Sequence, residues 1–279
     1  MTGYVDVGGG MRDIYGAGVL DRCIDEKIDF PYYIGVSAGS ANIISFIAGQ
    51  RDRCMRFYFD YAFRQEYMSL HNFINDKSFV DLDYIYSTLS NHDGEDPFDY
   101  ESMMEKDCKF LIVATDANTG KAHYFDAKKM KSDDYFPLKA SCCIPIACQP
   151  CRRDGKAYFD GGVANPIPIR KAFEDGCDKV VVTLTRPVDY LKRHWFPKEV
   201  YDRILGEFPE MAKAIVDTSE KYNADLEFAK KMEKEGKALI IAPDDCCHVE
   251  ALLKRKKDLK ELYKKGYEDG FKIKNFVKG

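Results

Sequence analysis

The sequence lacks the features that mark several large classes of protein. Its 42 Lys and Arg residues are outnumbered by 46 Asp and Glu residues, so it has no basic excess of the kind that a general nucleic-acid binder carries. No apolar run approaches the length of a membrane-spanning helix. The first residues also lack the basic region and apolar run of a signal peptide. We therefore expect no nucleic-acid partner and a cytoplasmic location.

Cysteine, by contrast, is abundant, with ten residues. In a chain of this size without an export signal, we expect reduced thiols rather than disulfides. Two groups stand out: a C-x-x-C from Cys148 to Cys151, and the run Cys246, Cys247 and His248. A C-x-x-C is compatible with a zinc or redox site, but no second one accompanies it, so we expect no metal.

Strand and helix patterns alternate through the first half of the chain. Short apolar runs predict strands at 3–7, 32–36, 109–117, 119–126, 156–162, 178–185 and 237–243. Apolar residues at helical spacing predict helices at 12–26 and 41–49. This alternation favours an α/β fold, with a mostly parallel sheet covered by helices on both faces. We divide the chain into a first region, 1–190, and a mainly helical extension, 191–279, packed on the same domain.

Three consecutive glycines, Gly8, Gly9 and Gly10, follow the first predicted strand and precede a helix. Such a loop can cradle phosphates, but Asp13 occupies the third glycine position of the dinucleotide fingerprint, and the loop contains no G-K-[ST]. A nucleotide site stays a weak alternative. The other use of such a loop is an oxyanion hole, because bare backbone amides at a helix N-terminus stabilise negative charge.

Ser37 lies between Gly35 and Gly39 in a G-x-S-x-G that joins a predicted strand to an apolar helix. That setting is typical of a nucleophile elbow, in which a sharp turn exposes the serine hydroxyl. The alternative is an ordinary strand-to-helix turn. The elbow and the glycine loop together favour a catalytic serine.

A serine nucleophile needs a base, and histidine is scarce, with five residues. None lies in a setting typical of a site, although His194 and His248 remain possible by chain order. Asp160 is the better candidate, because it ends a predicted strand and precedes Gly161 and Gly162. In parallel sheets, side chains at the carboxyl ends of strands converge on a site.

Taken together, these motifs resemble the patatin-like phospholipase family over about residues 3 to 185. The family carries a glycine triplet with a basic residue, then G-x-S-x-G, then D-G-[GA]. Here these motifs are Gly8 to Gly10 with Arg12, Gly35 to Gly39, and Asp160 to Gly162. The resemblance implies a three-layer α/β/α sandwich in which 1–190 is the catalytic domain.

The resemblance also implies the chemistry. A Ser37–Asp160 dyad would hydrolyse acyl esters, often of lipids, with Gly8, Gly9, Gly10 and Arg12 forming the oxyanion hole. No metal or organic cofactor is expected. Two positions depart from the family pattern: Asp13 replaces a glycine, and Val7 occupies a position where an acid is common, with Asp6 one place earlier. We expect Asp13→Gly to raise turnover of short-chain esters or to leave it unchanged.

Substrate and partners are less constrained. The aromatic residues Phe57, Tyr58, Phe59, Tyr61 and Phe63 either line an acyl pocket, form a lid or pack in the core. The lysine-rich tail, 254–278, is either a solvated face or a weak contact with anionic membranes. Two alternatives to a dyad hydrolase remain, a catalytically weak lipid-binding relative and a Ser-His-Asp esterase. The oligomeric state stays open.

Overall fold

A computed structural model describes residues 1–193, 196–252 and 255–278 of the 279-residue chain. Its strands are β1 (Thr2–Asp6), β2 (Tyr32–Val36), β3 (Lys109–Asp116), β4 (Ala122–Asp126), β5 (Cys151–Arg153), β6 (Lys156–Asp160), β7 (Lys179–Thr183) and β8 (Ala238–Ile241). The first helices are α1 (Ile14–Asp25), α2 (Ala38–Ile47), α3 (Arg53–Phe59), α4 (Leu70–Asp76), α5 (Tyr100–Glu105) and α6 (Phe136–Cys142). The later helices are α7 (Gly161–Ala164), α8 (Ile169–Glu174), α9 (Lys198–Ile204), α10 (Pro209–Lys234), α11 (Lys256–Asp269) and α12 (Phe271–Lys278).

The strands form one sheet in the order β5-β6-β3-β2-β1-β7-β8, with β4 also paired to β3. Within the described residues, β1, β2, β3, β7 and β8 pair in parallel. The strands β4, β5 and β6 pair antiparallel. The predicted mostly parallel sheet is therefore confirmed, and its antiparallel part lies at the β3 side.

Alternate side chains of the central strands enter two separate apolar cores. Tyr4 and Tyr33 belong to one core, together with side chains of α1 and α2. Val5 and Ile34 belong to the other core, with residues of α8 and α10. Because neighbouring residues of a strand point to opposite faces, this division places helices on both sides of the sheet. The three-layer α/β/α architecture is confirmed.

The region after residue 190 contributes to the same sheet. β8 pairs with the edge of β7, and α11 packs closely along α1, where Gly266 meets the Tyr15 carbonyl and Gly18 meets the backbone of Tyr263. A side chain at either glycine would overlap the facing backbone. No helix in the described ranges is both long enough and apolar enough to cross a membrane.

Candidate active site

The glycine loop, Gly8 to Gly10, leaves β1 in a conformation that other residues adopt at a cost. Its φ angles are 66°, 140° and 61°, all in the region that favours glycine. The Gly8 amide donates to Asp6 Oδ1 at 3.1 Å, and Met11 N–H donates to the Ala251 carbonyl at 2.9 Å. Among the described residues, no acceptor receives the amides of Gly9 and Gly10. These two amides are therefore available to a developing oxyanion, and that of Gly8 is not.

Ser37 occupies a strained turn between β2 and α2, with φ 54° and ψ -131°. Its amide donates to Ser141 Oγ at 2.9 Å, and Ser141 in turn donates to the Val113 carbonyl at 2.6 Å. A Cβ on Gly39 would lie 2.6 Å from Asp6 Oδ1, so only glycine fits there. The turn is thus held by close backbone packing, as a nucleophile elbow requires.

Sheet register brings Asp160 to Ser37. Val36 pairs with Val113, and the next residue of β3, Ala114, pairs with Asp160 on the other side. Ser37 and Asp160 therefore reach the same level on either side of β3. β6 runs antiparallel to β3, so the expectation that Asp160 ends a parallel strand was wrong, and register decides the position instead.

Asp160 is a buried carboxyl group beside the serine. Burial raises its pKa, while the neighbouring Ser37 hydroxyl and the hydrogen bond from the Gly162 amide lower it, for a value of about 6. The Gly162 N–H lies 2.8 Å from Asp160 Oδ1, and the Asp160 amide donates to the Cys143 carbonyl at 2.8 Å. A carboxylate with a pKa near 6 is ionised at neutral pH and can accept a proton.

A pair of buried carboxyl groups lies behind the glycine loop. Asp6 and Asp13 are both fully buried, and both carboxyls reach the space over Gly16. Burial raises the pKa of Asp6 to about 7, and burial together with the charge of Asp6 raises the pKa of Asp13 well above its usual value. The two groups therefore share a proton at neutral pH. Asp13 faces Asp6, away from the pocket beside Ser37.

An apolar pocket with a volume of about 80 Å³ opens beside Ser37. Its lining includes Gly10, Ser37, Phe57, Tyr58, Tyr67, Met68, Val80, Leu82, Ile85 and Tyr86. Of the predicted aromatic residues, Phe57 and Tyr58 line it. Arg53 also lines the pocket; its guanidinium is buried and donates to Ser45 Oγ and Ser90 Oγ.

Arg12 packs on the glycine loop and does not line that pocket. Its Nη2 lies 3.3 Å from the place that a Cβ on Gly9 would take, and its Nη1 donates to Glu250 Oε2 at 3.1 Å. Burial lowers its pKa, and the neighbouring Arg186 adds to that effect. The guanidinium is therefore near the loop without facing Ser37 directly.

The described histidines do not line the pocket that contains Ser37. His71 hydrogen-bonds Asn75, His92 pairs with Asp133, and His123 packs against Phe125 and Tyr158. His248 is exposed, and His194 lies outside the described residues.

All ten cysteines carry free thiols. Cys143 Sγ donates to the Gln149 carbonyl at 2.9 Å, so the thiol supports the segment whose carbonyl holds the Asp160 amide. In the part of the chain that is described, no three His, Cys, Asp or Glu side chains are grouped to bind a metal.

Similarity to known proteins agrees with this geometry. The family model for patatin-like phospholipase matches residues 7–173, more than half of the chain. The chain belongs to the patatin-like phospholipase family. A second model, a domain of unknown function called DUF6363, matches residues 208–276 of this patatin-like protein.

Two individual proteins are also similar. The uncharacterized protein YjjU of Escherichia coli K12 is 26% identical over 277 residues, covering 93% of this chain and 73% of its own length. The crystal structure of VipD from Legionella pneumophila aligns at 11% identity with a TM-score of 0.48, covering 98% of this chain and 66% of that one. This patatin-like chain thus spans slightly less than two thirds of VipD.

Sequence reasoning missed several residues that hold the site. Ser141 supports the elbow, and Thr185 Oγ1 donates to the Gly8 carbonyl. Ala251 accepts from the loop at Met11. Each contact joins residues more than a hundred positions apart, and no local pattern marks them. A buried serine after "LKA" and a threonine at the end of a strand are the only signals.

Proposed function

We propose that the protein is a serine hydrolase of lipid acyl esters, with Ser37 as nucleophile and Asp160 as its general base. Membership of the patatin-like phospholipase family indicates lipid acyl hydrolysis. The observation that carries the finer assignment is the sheet register that places Ser37 and Asp160 on either side of β3. The two side chains lie close enough for the Ser37 hydroxyl to lower the pKa of the Asp160 carboxyl, beside two backbone amides with no acceptor among the described residues.

In the proposed first step, Asp160 takes the hydroxyl proton as Ser37 Oγ bonds to the ester carbonyl carbon. The carbonyl oxygen becomes an oxyanion, and the Gly9 and Gly10 amides stabilise it. Collapse of the intermediate breaks the ester C–O bond, and the proton on Asp160 passes to the departing alkoxide. The alcohol leaves, and an acyl group remains on Ser37.

Water completes the cycle by the same route. Asp160 takes a proton from water, whose oxygen bonds to the acyl carbon. The second tetrahedral intermediate then expels Ser37 Oγ, which recovers its proton, and a fatty acid is released. The scheme uses only side chains and amides of this chain together with water. The apolar pocket receives the acyl chain, because its walls are mostly aromatic and aliphatic.

A fluorophosphonate probe tests the assignment, because it bonds covalently to an activated serine. We expect labelling of the wild type, none of Ser37→Ala, and full labelling of Ser132→Ala, a control at an exposed serine. A hydrolysis screen over acyl length then reads turnover. Binding of lipid vesicles without labelling or turnover would favour the lipid-binding alternative instead.

Replacing histidines tests the remaining alternative of a Ser-His-Asp esterase. A dyad enzyme keeps its activity in His194→Ala and His248→Ala. Loss of turnover in either variant, with folding retained, would contradict the dyad and assign the base to that imidazole.

We also propose weak contact with lipid surfaces. α4 exposes Leu70, Phe73 and Ile74, with 72%, 44% and 77% of their surface accessible. The segment that carries α4 is closed by a bridge between Met68 and Val80, and both of these residues line the apolar pocket. An exposed apolar helix beside a pocket for acyl chains fits a lipid surface.

The lysine-rich tail contributes less charge than its composition suggests. Lys265 pairs with Asp244 and Asp245, and Lys274 pairs with Glu26. Sedimentation with anionic vesicles at low salt tests the contact. We expect Ile74→Ser to weaken binding and Ile204→Ser, a change at another exposed isoleucine, to leave it intact. No binding by the wild type at low salt would remove the idea.

A further inference from the structure

Three cationic side chains meet beside the glycine loop, outside the apolar pocket. Arg12 and Arg186 both donate to Glu250 Oε2, each at 3.1 Å. Arg186 also stacks on Tyr190, with 4.4 Å from its guanidinium carbon to the ring centre. Lys192 Nζ lies 5.6 Å from the ring centre of Tyr222, and the rings of Tyr190 and Tyr222 are 6.0 Å apart. We call Arg12, Arg186 and Lys192 the cation cluster.

The topology brings the cluster to the point where ligands bind in α/β sheets. The chain leaves β1 between β2 on one side and β7 on the other, so the carboxyl end of β1 is a topological switch point. Arg12 follows β1, and Arg186 follows β7 by a few residues. Ser37 follows β2 at the same edge. The cluster and the serine therefore flank the same loop.

The cluster holds more positive than negative charge. Glu250 is half exposed and serves both arginines. A second carboxylate, Asp160, attracts Lys192. Arg12 is 12% exposed in its side chain, and its buried Nε has no hydrogen-bond partner among the described residues. Within the described part of the chain, three close cations near two carboxylates leave one positive charge uncompensated, which is costly in a buried setting.

Electrostatics agree with this reading of the geometry. Burial, together with the smaller effect of the charges of Arg12 and Arg186, lowers the pKa of Lys192 to about 8, against the attraction of Asp160. Cations that disfavour one another's charge favour a negatively charged ligand beside them.

We propose that the cation cluster is the subsite for the phosphate of a phospholipid head group. The proposal rests on the proposed function and specifies its substrate: a lipid ester that carries a phosphate near the scissile carbonyl. The glycine loop separates the two ends of such a molecule. Gly10 and Met11 line the apolar pocket, whereas Gly9 contacts Arg12 and Thr185.

The chemistry suits phosphate. Guanidinium groups present a fork of donors that matches phosphate oxygens, and lysine adds a compact charge. In a glycerophospholipid the phosphate is joined to the ester oxygens through the glycerol carbons, so both groups can reach opposite sides of one short loop. Arg186 and Lys192 lie beyond residues 7–173, the part that the family model matches, so this subsite is supplied largely by the later part of the chain.

The test compares two substrates that differ only in the phosphate, 1-decanoylglycerol and 1-decanoylglycerol 3-phosphate, both kept below aggregation. For Lys192→Gln and Arg186→Gln we expect KM for the phosphate ester to rise about tenfold, because each variant loses one charge-assisted hydrogen bond to the phosphate. KM for decanoylglycerol should change less than twofold. Lys192→Arg should restore most of the difference. Lys213→Gln, at an exposed lysine, should leave both values unchanged.

Equal losses on both substrates would overturn the subsite, because they would mean that Lys192 acts only through the charge of Asp160. Free phosphate is the other source of this anion. Competitive inhibition of decanoylglycerol hydrolysis by glycerol 3-phosphate, weakened in Arg186→Gln, supports a head-group site. Activation by inorganic phosphate, with no preference between the substrates, would contradict it.

Direct binding separates this inference from the proposed function. Titration calorimetry with glycerol 3-phosphate reads the subsite whether or not an ester is cleaved. If glycerol 3-phosphate binds the wild type but not Arg186→Gln, and no ester is turned over, the anion site is supported and the proposed hydrolase activity is contradicted. If decanoylglycerol is turned over but glycerol 3-phosphate does not bind, the hydrolase activity is supported and the anion site is contradicted.

Discussion

Asp160 and the Asp6–Asp13 pair are both buried carboxyl sites next to the elbow, but their surroundings differ. Asp160 accepts a hydrogen bond from the Gly162 amide, and the neighbouring Ser37 hydroxyl and Lys192 lower its pKa. Asp6 and Asp13 face one another, with the charge of Arg12 opposing the raised pKa of Asp13. Burial raises the pKa of all three, so a raised pKa alone does not identify a base. In the proposed mechanism Asp160 is the base because it lies beside Ser37, whose hydroxyl belongs to a residue that lines the apolar pocket.

The same comparison assigns different tasks to the two sites. Asp160 has a proton donor in front of it and can cycle between its two forms. Among the described residues, no hydrogen bond joins the Asp6 or Asp13 carboxyl to a side chain that lines the pocket. Asp6 instead accepts the Gly8 amide and lies against Gly39, so it joins the glycine loop to the elbow. Its task is to position the loop.

The largest expected effect is that of Asp160→Asn. An amide cannot take the serine proton, so we expect turnover of short-chain esters to fall at least a thousandfold. Circular dichroism checks folding, and Asp93→Asn, at an exposed carboxyl, serves as control. Activity within tenfold of wild type would mean that another group is the base, and that the two carboxyl sites do not differ in the way described.

The second effect concerns the loop. Asp6→Ala removes the acceptor of the Gly8 amide and lets the glycine loop drift from Ser37, so we expect kcat to fall roughly thirtyfold with little change in KM. Asp6→Asn keeps a carbonyl oxygen in that place and should lose much less. Equal losses in the two variants would show that the charge of Asp6 matters, contrary to a positioning task.

The third effect is the pH dependence of kcat/KM. Asp160 has a pKa of about 6 and acts as a base only when ionised. Activity should therefore rise as pH increases through about 6, and at pH 5 it should be about tenfold below its plateau. Asp13→Asn should keep this midpoint. A midpoint near 7 that vanishes in Asp13→Asn would assign the profile to the Asp6–Asp13 pair instead.

The fourth effect is on stability. The pKa values of Asp6 and Asp13 are raised in the folded protein, so the folded state binds more protons than the unfolded one between about pH 4 and 7. Stability therefore falls as pH rises through that window. In Asp13→Asn the fall should be smaller, because one of the two carboxyl groups with a raised pKa is gone. Urea unfolding at pH 5 and pH 8 measures it, and an unchanged slope would mean that the pair shares no proton.

The smallest effect is expected for Asp13→Gly. Asp13 does not line the pocket, so it neither contacts nor repels a substrate there, and turnover of short-chain esters should stay the same or rise slightly. The variant should unfold at lower urea, because it leaves a space beside Gly16. A large loss of turnover would give Asp13 a task in the loop equal to that of Asp6.

Local patterns predicted much of this molecule. The strand predicted at 32–36 has the same bounds as β2. The predicted bounds of β1, β3, β7 and β8 lie within one or two residues of the observed ones at each end. The spacing of apolar residues and the position of glycines are local features of the sequence, so they predict strands and turns without knowledge of the fold. The α2 helix was expected to be buried, and its large apolar side chains, Ile43, Ile44, Phe46 and Ile47, are. β5, three residues long, carries too short a pattern to predict.

Side chains from distant parts of the chain meet only through the fold. The amino-acid sequence alone determined the glycine loop, the elbow and the pair of residues proposed for the dyad, because backbone strain and small residues leave a local trace. Tertiary structure alone decided that β6 runs antiparallel and reaches Ser37 by register. It also decided that Asp13 faces Asp6, and that Arg186 and Lys192 gather at Arg12. Charge and register act through space, and spacing along a chain does not encode them.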